Sequence, residues 1–80
     1  MFKKIKLKDM LSKIEYGIGI RIYESYTCLF TADRKMLKQG TLDSKFIADI
    51  KPYREYRVIG ISISEYEIPF LEITIYRDKE

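Results

Sequence analysis

The segment YRVIGISISEYEIPFLEITIY, residues 56–76, decides the fold. Ile59, Ile61 and Ile63 recur at every second position, and so do Leu71, Ile73 and Ile75. A period of two sends alternate side chains to opposite faces, so each run reads as a strand with one apolar face. Tyr66, Glu67, Ile68 and Pro69 separate the runs, and a proline in a turn removes no ladder hydrogen bond. Two adjacent antiparallel strands follow, over residues 56–63 and 70–76. The closing RDKE reads as a solvated tail.

Upstream, IGIRIY (residues 18–23) has the same period. Ile18, Ile20 and Ile22 share one face, and Gly19, Arg21 and Tyr23 share the other. YTCLFTA supplies a second alternation, Tyr26, Cys28 and Phe30 against Thr27, Leu29 and Thr31. It predicts a strand over 26–32, joined to the first by a tight turn. Before them, Leu7, Met10, Leu11 and Ile14 follow the i, i+3, i+4, i+7 spacing of an amphipathic helix. That helix is expected over 6–15, with Gly17 and Gly19 marking its end and the start of the strand. Residues 33–52 show no regular period. A loop is expected there, then one or two helical turns capped by Asp43 or Ser44, with Phe46, Ile47 and Ile50 on one side and Pro52 as the stop.

The fold expected is therefore α+β. An N-terminal amphipathic helix packs on a four-stranded antiparallel sheet, with a short irregular or helical insertion between strands 2 and 3. Eighty residues make a single domain, residues 1–80, which buries about two-thirds of the surface its unfolded chain exposes. No run approaches the roughly 20 apolar residues of a membrane span, and no signal-peptide core follows MFKKIKLK. The single cysteine, Cys28, cannot close an internal disulfide, which points to a reducing cytoplasm.

Composition restricts the chemistry. The chain has no histidine, so the usual general base at neutral pH and the commonest metal ligand are both missing. One cysteine falls short of a zinc site. Glu65 and Glu67 sit in a turn, and Glu72 faces outward from the last strand. Paired acids could hydrolyse a glycoside only within a cleft that a domain of this size scarcely offers. The GIG at 17–19 lies after a helix and before a strand, the reverse of a dinucleotide fingerprint, and no third glycine follows. The expectation is a non-enzymatic chain with no catalytic, cofactor-binding or metal-binding residues.

A net charge of +3 is mildly basic. Lys3, Lys4, Lys6, Lys8 and Lys13 crowd the N-terminus, either as a wet helix side or as a means of steering an anionic partner. KPYREYR (residues 51–57) interleaves tyrosine with arginine around Glu55. Three readings stand beside one another. Arg21, Tyr23, Tyr53, Arg54, Tyr56 and Tyr76 form the wet side of a thin sheet, or contact a protein, or contact nucleic acid. The expected function is protein binding through these six residues. The alternatives are nucleic-acid binding by the same residues and a sponge for a nucleotide signal in an oligomer. A homo-oligomer formed through an edge strand is a further expectation.

The succession LKDMLSKI, IRIYES and VIGISISEYEIPFLEITIY resembles a family of short proteins encoded by phages and mobile elements of Firmicutes. Its members begin with an LKELL-like helix and an xVRIYD-like strand and end in a VxxIxxxxxxLxIxI-like hairpin. Residues 33–50 depart most from that pattern. The resemblance implies the context of an accessory protein that inhibits a host or defence factor, anti-CRISPR proteins among them. It brings no site residues.

Overall fold

The computed structural model describes residues 5–26, 34–64 and 69–77. In chain order these form α1 (Leu7–Leu11), β1 (Gly19–Ser25), β2 (Arg34–Thr41), α2 (Ser44–Asp49), a single 3-10 turn at Lys51–Tyr53, β3 (Arg57–Ser64) and β4 (Phe70–Tyr76). The four strands form one open sheet in the order β2-β1-β4-β3. Two antiparallel hairpins, β1 with β2 and β3 with β4, are joined in the middle by β1 and β4. That central pair is parallel, with Ile20 beside Leu71 and Ile22 beside Ile73.

The chain is thus α+β with two helices, and its sheet is mixed where an all-antiparallel one was expected. The reason is the crossover. After β2 the chain passes through α2 and the 3-10 turn to the far edge and begins β3 there. A hairpin laid down from that edge brings β4 back beside β1 in the same direction. Parallel neighbours need a crossover of this kind, usually a helical one.

The strand beside β1 is also not the one expected. Of the strand expected over 26–32, residues 27–32 fall outside the described residues, and Tyr26 itself is exposed. Residues 34–41, expected to be loop, are β2. An edge strand with one face in water needs no apolar alternation. A bulge between Ile22 and Tyr23 further breaks its period, pairing Lys38 with Ile22 and Met36 with Tyr23.

The core lies between the two central strands and the helical layer. Ile20, Ile22, Ile73 and Ile75 are fully buried against Leu7, Leu11, Leu42, Phe46 and Ile50. Helix α2 starts because the Asp43 carboxylate accepts the Phe46 amide at 2.7 Å, satisfying an otherwise orphan donor. It stops as the chain turns into Lys51-Pro52-Tyr53. Gly40, the register partner of Ile20, has the Phe46 ring beside it. Helix α1 is five residues, half the expected length, and passes into turns at Ser12 and Lys13. Its stripe still packs as expected, with Leu7 and Leu11 buried and Met10 and Ile14 leaning on the core. Gly17 then adopts φ +101°, a left-handed conformation that only glycine takes without strain.

Not every isoleucine goes inside. Ile18, Ile61 and Ile63 were expected on the buried face and are 43%, 49% and 65% exposed. The helical layer is too small to cover them. Five and six helical residues span only about 7.5 and 9 Å, against roughly 14 Å between the outer strands. It shelters β1 and β4 and leaves the far half of β3 in water.

Backbone bonds tie α1 to the segment before β3. The Leu7 amide donates to Tyr56 O at 2.8 Å, Lys8 to Arg54 O at 2.9 Å, and Val58 to Ile5 O at 2.7 Å. Lys6 Nζ and Lys8 Nζ both reach Glu55, each at 2.8 Å. These two ammonium groups hold the Glu55 carboxyl well below its usual range, at about 2. On the other side, Lys38 Nζ bonds Asp49 at 2.8 Å, linking β2 to α2 and lowering the Asp49 pKa.

Candidate functional site

The face of the sheet away from the helices gathers the residues that alternate with the buried isoleucines. From β1 come Gly19, Arg21 and Tyr23, and from β4 come Phe70, Glu72, Thr74 and Tyr76. Glu72 lies at the centre of this face. Arg21 Nη1 donates to it from β1 at 3.3 Å, Arg34 Nη2 from β2 at 3.2 Å, and Ser62 Oγ from β3 at 3.3 Å. Arg21 Nε also donates to Gln39 at 2.8 Å, and Arg34 Nη1 to Thr74 Oγ1 at 2.9 Å. One carboxylate is therefore reached from all three other strands.

Each arginine also lies on a ring. The Arg21 guanidinium sits 4.4 Å from the Phe70 centroid, Arg34 3.9 Å from Tyr23, and Arg57 5.8 Å from Tyr76. Arginine stacks well on aromatic faces because its cation is planar and weakly hydrated. Phe70 itself packs close against Gly19. A Cβ at that position would meet the ring at 3.0 Å, so the glycine makes room for this layer. The Arg21, Arg34 and Glu72 side chains are only 26%, 20% and 14% exposed. The result is a fixed, half-buried surface of guanidinium planes and ring edges.

Of the six expected contact residues, the structure brings together Arg21, Tyr23 and Tyr76. The other three lie elsewhere. Tyr53 and Tyr56 form an edge-to-face pair at 5.4 Å and pack against the core, because the 3-10 turn at Lys51–Tyr53 and the turns that follow it precede the strand, which starts only at Arg57. Arg54 is exposed beside α1 and α2, on the helical side of the molecule. The KPYREYR cluster is thus split by the fold. Sequence reasoning missed Arg34 and Phe70 as members of the face, placed Arg57 only within the KPYREYR cluster, and read Glu72 only as an outward acid. The alternation of 70, 72, 74 and 76 could have assigned Phe70 and Glu72. Arg34 had no comparable signal, since it starts a strand that the sequence conceals.

Elsewhere, two apolar grooves stand out. One, of about 370 Å³, runs between α1, α2 and the 3-10 turn. Another, of about 470 Å³, lies beside Ile18, Ile63, Phe70 and Leu71. Among the described residues, no group of three Cys, Asp or Glu side chains is placed to hold a metal ion, and no helix is long and apolar enough to cross a membrane. Glu65 and Glu67, and likewise Cys28, lie outside the described residues. No protein-family model matches the chain, and neither a curated protein nor a solved structure does.

Proposed function

We propose that the chain is a non-enzymatic protein-binding module that works in the cytoplasm through the sheet face around Glu72. The observation that supports it is the three-arginine layer locked onto Tyr23, Phe70 and Tyr76. Arginine and tyrosine dominate protein interfaces because they combine large contact area with a polar tip. Here their rotamers are already restrained, which lowers the entropy lost on binding.

The same geometry favours protein over nucleic acid. A base stacks on an exposed ring face. Arg21 and Arg34 already cover the Phe70 and Tyr23 rings, and Glu72 would repel a phosphate. A host or defence factor, as the resemblance to phage and mobile-element proteins implies, is the kind of partner proposed. Self-association belongs to the same reading, through the β3 edge, which has no charged residue from Val58 to Ser64.

The test is affinity capture from the encoding organism at moderate salt, with and without nuclease, using the wild-type chain and Arg21→Glu. The expected result is one protein retained regardless of nuclease, lost with the variant, and reconstituted as a complex from purified components. Recovery that needs intact nucleic acid, with a steep loss on raising salt, would point to phosphate contacts and overturn the proposal.

A further inference from the structure

The groove between the helices has a different chemistry from the sheet face. Leu11 from α1 and Ile47 and Ile50 from the end of α2 form its floor. Ile47 is 37% exposed there, although it belongs to the stripe that also buries Phe46 and Ile50. Lys8, Lys51 and Arg54 stand around the floor, and among the described residues no carboxylate lines it. The nearby acid, Glu55, is held by Lys6 and Lys8 at 2.8 Å and lies 4.0 Å from Arg54. Three cations thus lie within 4.0 Å of one carboxylate that is already committed to two of them. Lys51 and Arg54 are three apart across a 3-10 turn, a spacing that superposes side chains on one side.

The walls are preformed. The Lys8 amide bonds Arg54 O at 2.9 Å, and the Arg54 amide bonds Lys51 O at 3.3 Å, so helix and turn are linked by backbone. The volume, about 370 Å³, falls in the range of small-molecule sites. Among the described residues no aromatic ring lines it, and none of them would stack a nucleotide base. An aliphatic body suits the floor, and a negative head suits the rim.

We propose that this groove binds a small amphipathic anion, its aliphatic chain on Leu11, Ile47 and Ile50 and its carboxylate or phosphate held by Lys51 and Arg54. The site is separate from the sheet face and does not depend on that face's role. The apolar groove beside Ile18, Ile63 and Phe70 is a built-in control, since among the described residues none that lines it is charged.

The probe is decanoate, titrated into the full chain below its micelle concentration and followed by calorimetry and backbone amide NMR. The expected result is saturable one-to-one binding, with shifts centred on residues 8–12 and 47–54. Hexanoate should bind at least tenfold more weakly, because each buried methylene contributes a roughly constant increment. Decyltrimethylammonium, with the same tail and the opposite head, should not saturate. The double variant Lys51→Glu/Arg54→Glu should weaken decanoate at least tenfold. Ala48→Trp, which fills the groove from an exposed position, should block it while leaving the circular dichroism spectrum unchanged. Absence of saturation, equal binding of the cationic amphiphile, or shifts spread equally to Ile18, Ile63 and Phe70 would each overturn the proposal.

Discussion

Glu72 sits at the point where the two hairpins meet, and its environment shows how a central strand tolerates a charge. Two guanidinium groups and a hydroxyl satisfy its oxygens at 3.2–3.3 Å, at 14% exposure. Removing the carboxylate takes away the one anion that Arg21 and Arg34 share. A group that loses a charged hydrogen-bond partner in a partly buried site loses about 1–3 kcal/mol. Glu72→Ala is therefore expected to lower unfolding free energy by about that amount in urea titration, and Glu72→Gln by less. Arg21→Ala added to Glu72→Ala should restore part of the loss, a coupling that a double-mutant cycle reads directly. An additive result would mean that the carboxylate holds nothing together. Arg21 and Tyr23 were legible beforehand because they alternate with Ile20 and Ile22. Tyr53 and Tyr56 were not, because tyrosine is equally at home on a wet face and at a core margin, and only the turn at Pro52 decides between them.

Among the elements, α1 depends most on its neighbours. Five residues make little more than one turn, too short to be stable alone. Leu7 and Leu11 anchor it to the core, and the Lys6 and Lys8 bonds to Glu55 fix it to the turn before β3. The Glu55 pKa is about 2 in the fold against an ordinary 4.5. A depressed carboxylate pKa favours the folded state above the unfolded pKa, and that contribution fades as pH falls through the folded value. Wild-type and Glu55→Gln chains should therefore differ in melting temperature by a constant amount above about pH 5, converge between pH 4.5 and 2, and coincide below that. A gap that persists below pH 2 would assign the effect to something other than the charge. The stripe of α1 was readable from four apolar positions. Its short length was not, since its start is pinned by contacts of residues 5–8 to residues 54–58, which lie far away in sequence, and its end passes into the turns that lead to Gly17. Strand β2 was concealed for the opposite reason. RKMLKQGT has three cations and only Met36 and Leu37 as large apolar residues, and these are adjacent rather than alternate.

At the scale of the whole molecule, the two edges of the sheet differ. Strand β2 exposes an edge with Arg34, Lys35 and Lys38, charges of the kind that discourage pairing with another sheet. Strand β3 has none after Arg57. Residues 5–7 cover its beginning, through the Ile5–Val58 bond and the Lys6–Arg57 bridge, and beyond Val58 no described residue pairs with its outer side. Ile61 and Ile63 stand exposed along that stretch. Which edge the described residues would leave unpaired could not be read from periodicity, because a pattern of alternate isoleucines is the same in a central strand and at a margin. The direction of the β1–β4 pair was hidden likewise, since both strands have one isoleucine face whichever way they run. Antiparallel pairing of β3 with β3 of a second copy, about a two-fold axis, would continue the sheet and bring the exposed isoleucines together. Sedimentation of the wild-type chain should accordingly move from 9.6 kDa toward twice that mass as concentration rises. Ile63→Lys places a charge on the edge and should hold the chain at the monomer mass without altering its circular dichroism. Lys38→Ala, on the other edge, should leave the concentration dependence unchanged. A wild-type chain that stays at the monomer mass throughout, or an Ile63→Lys variant that still associates, would remove β3 as the pairing edge.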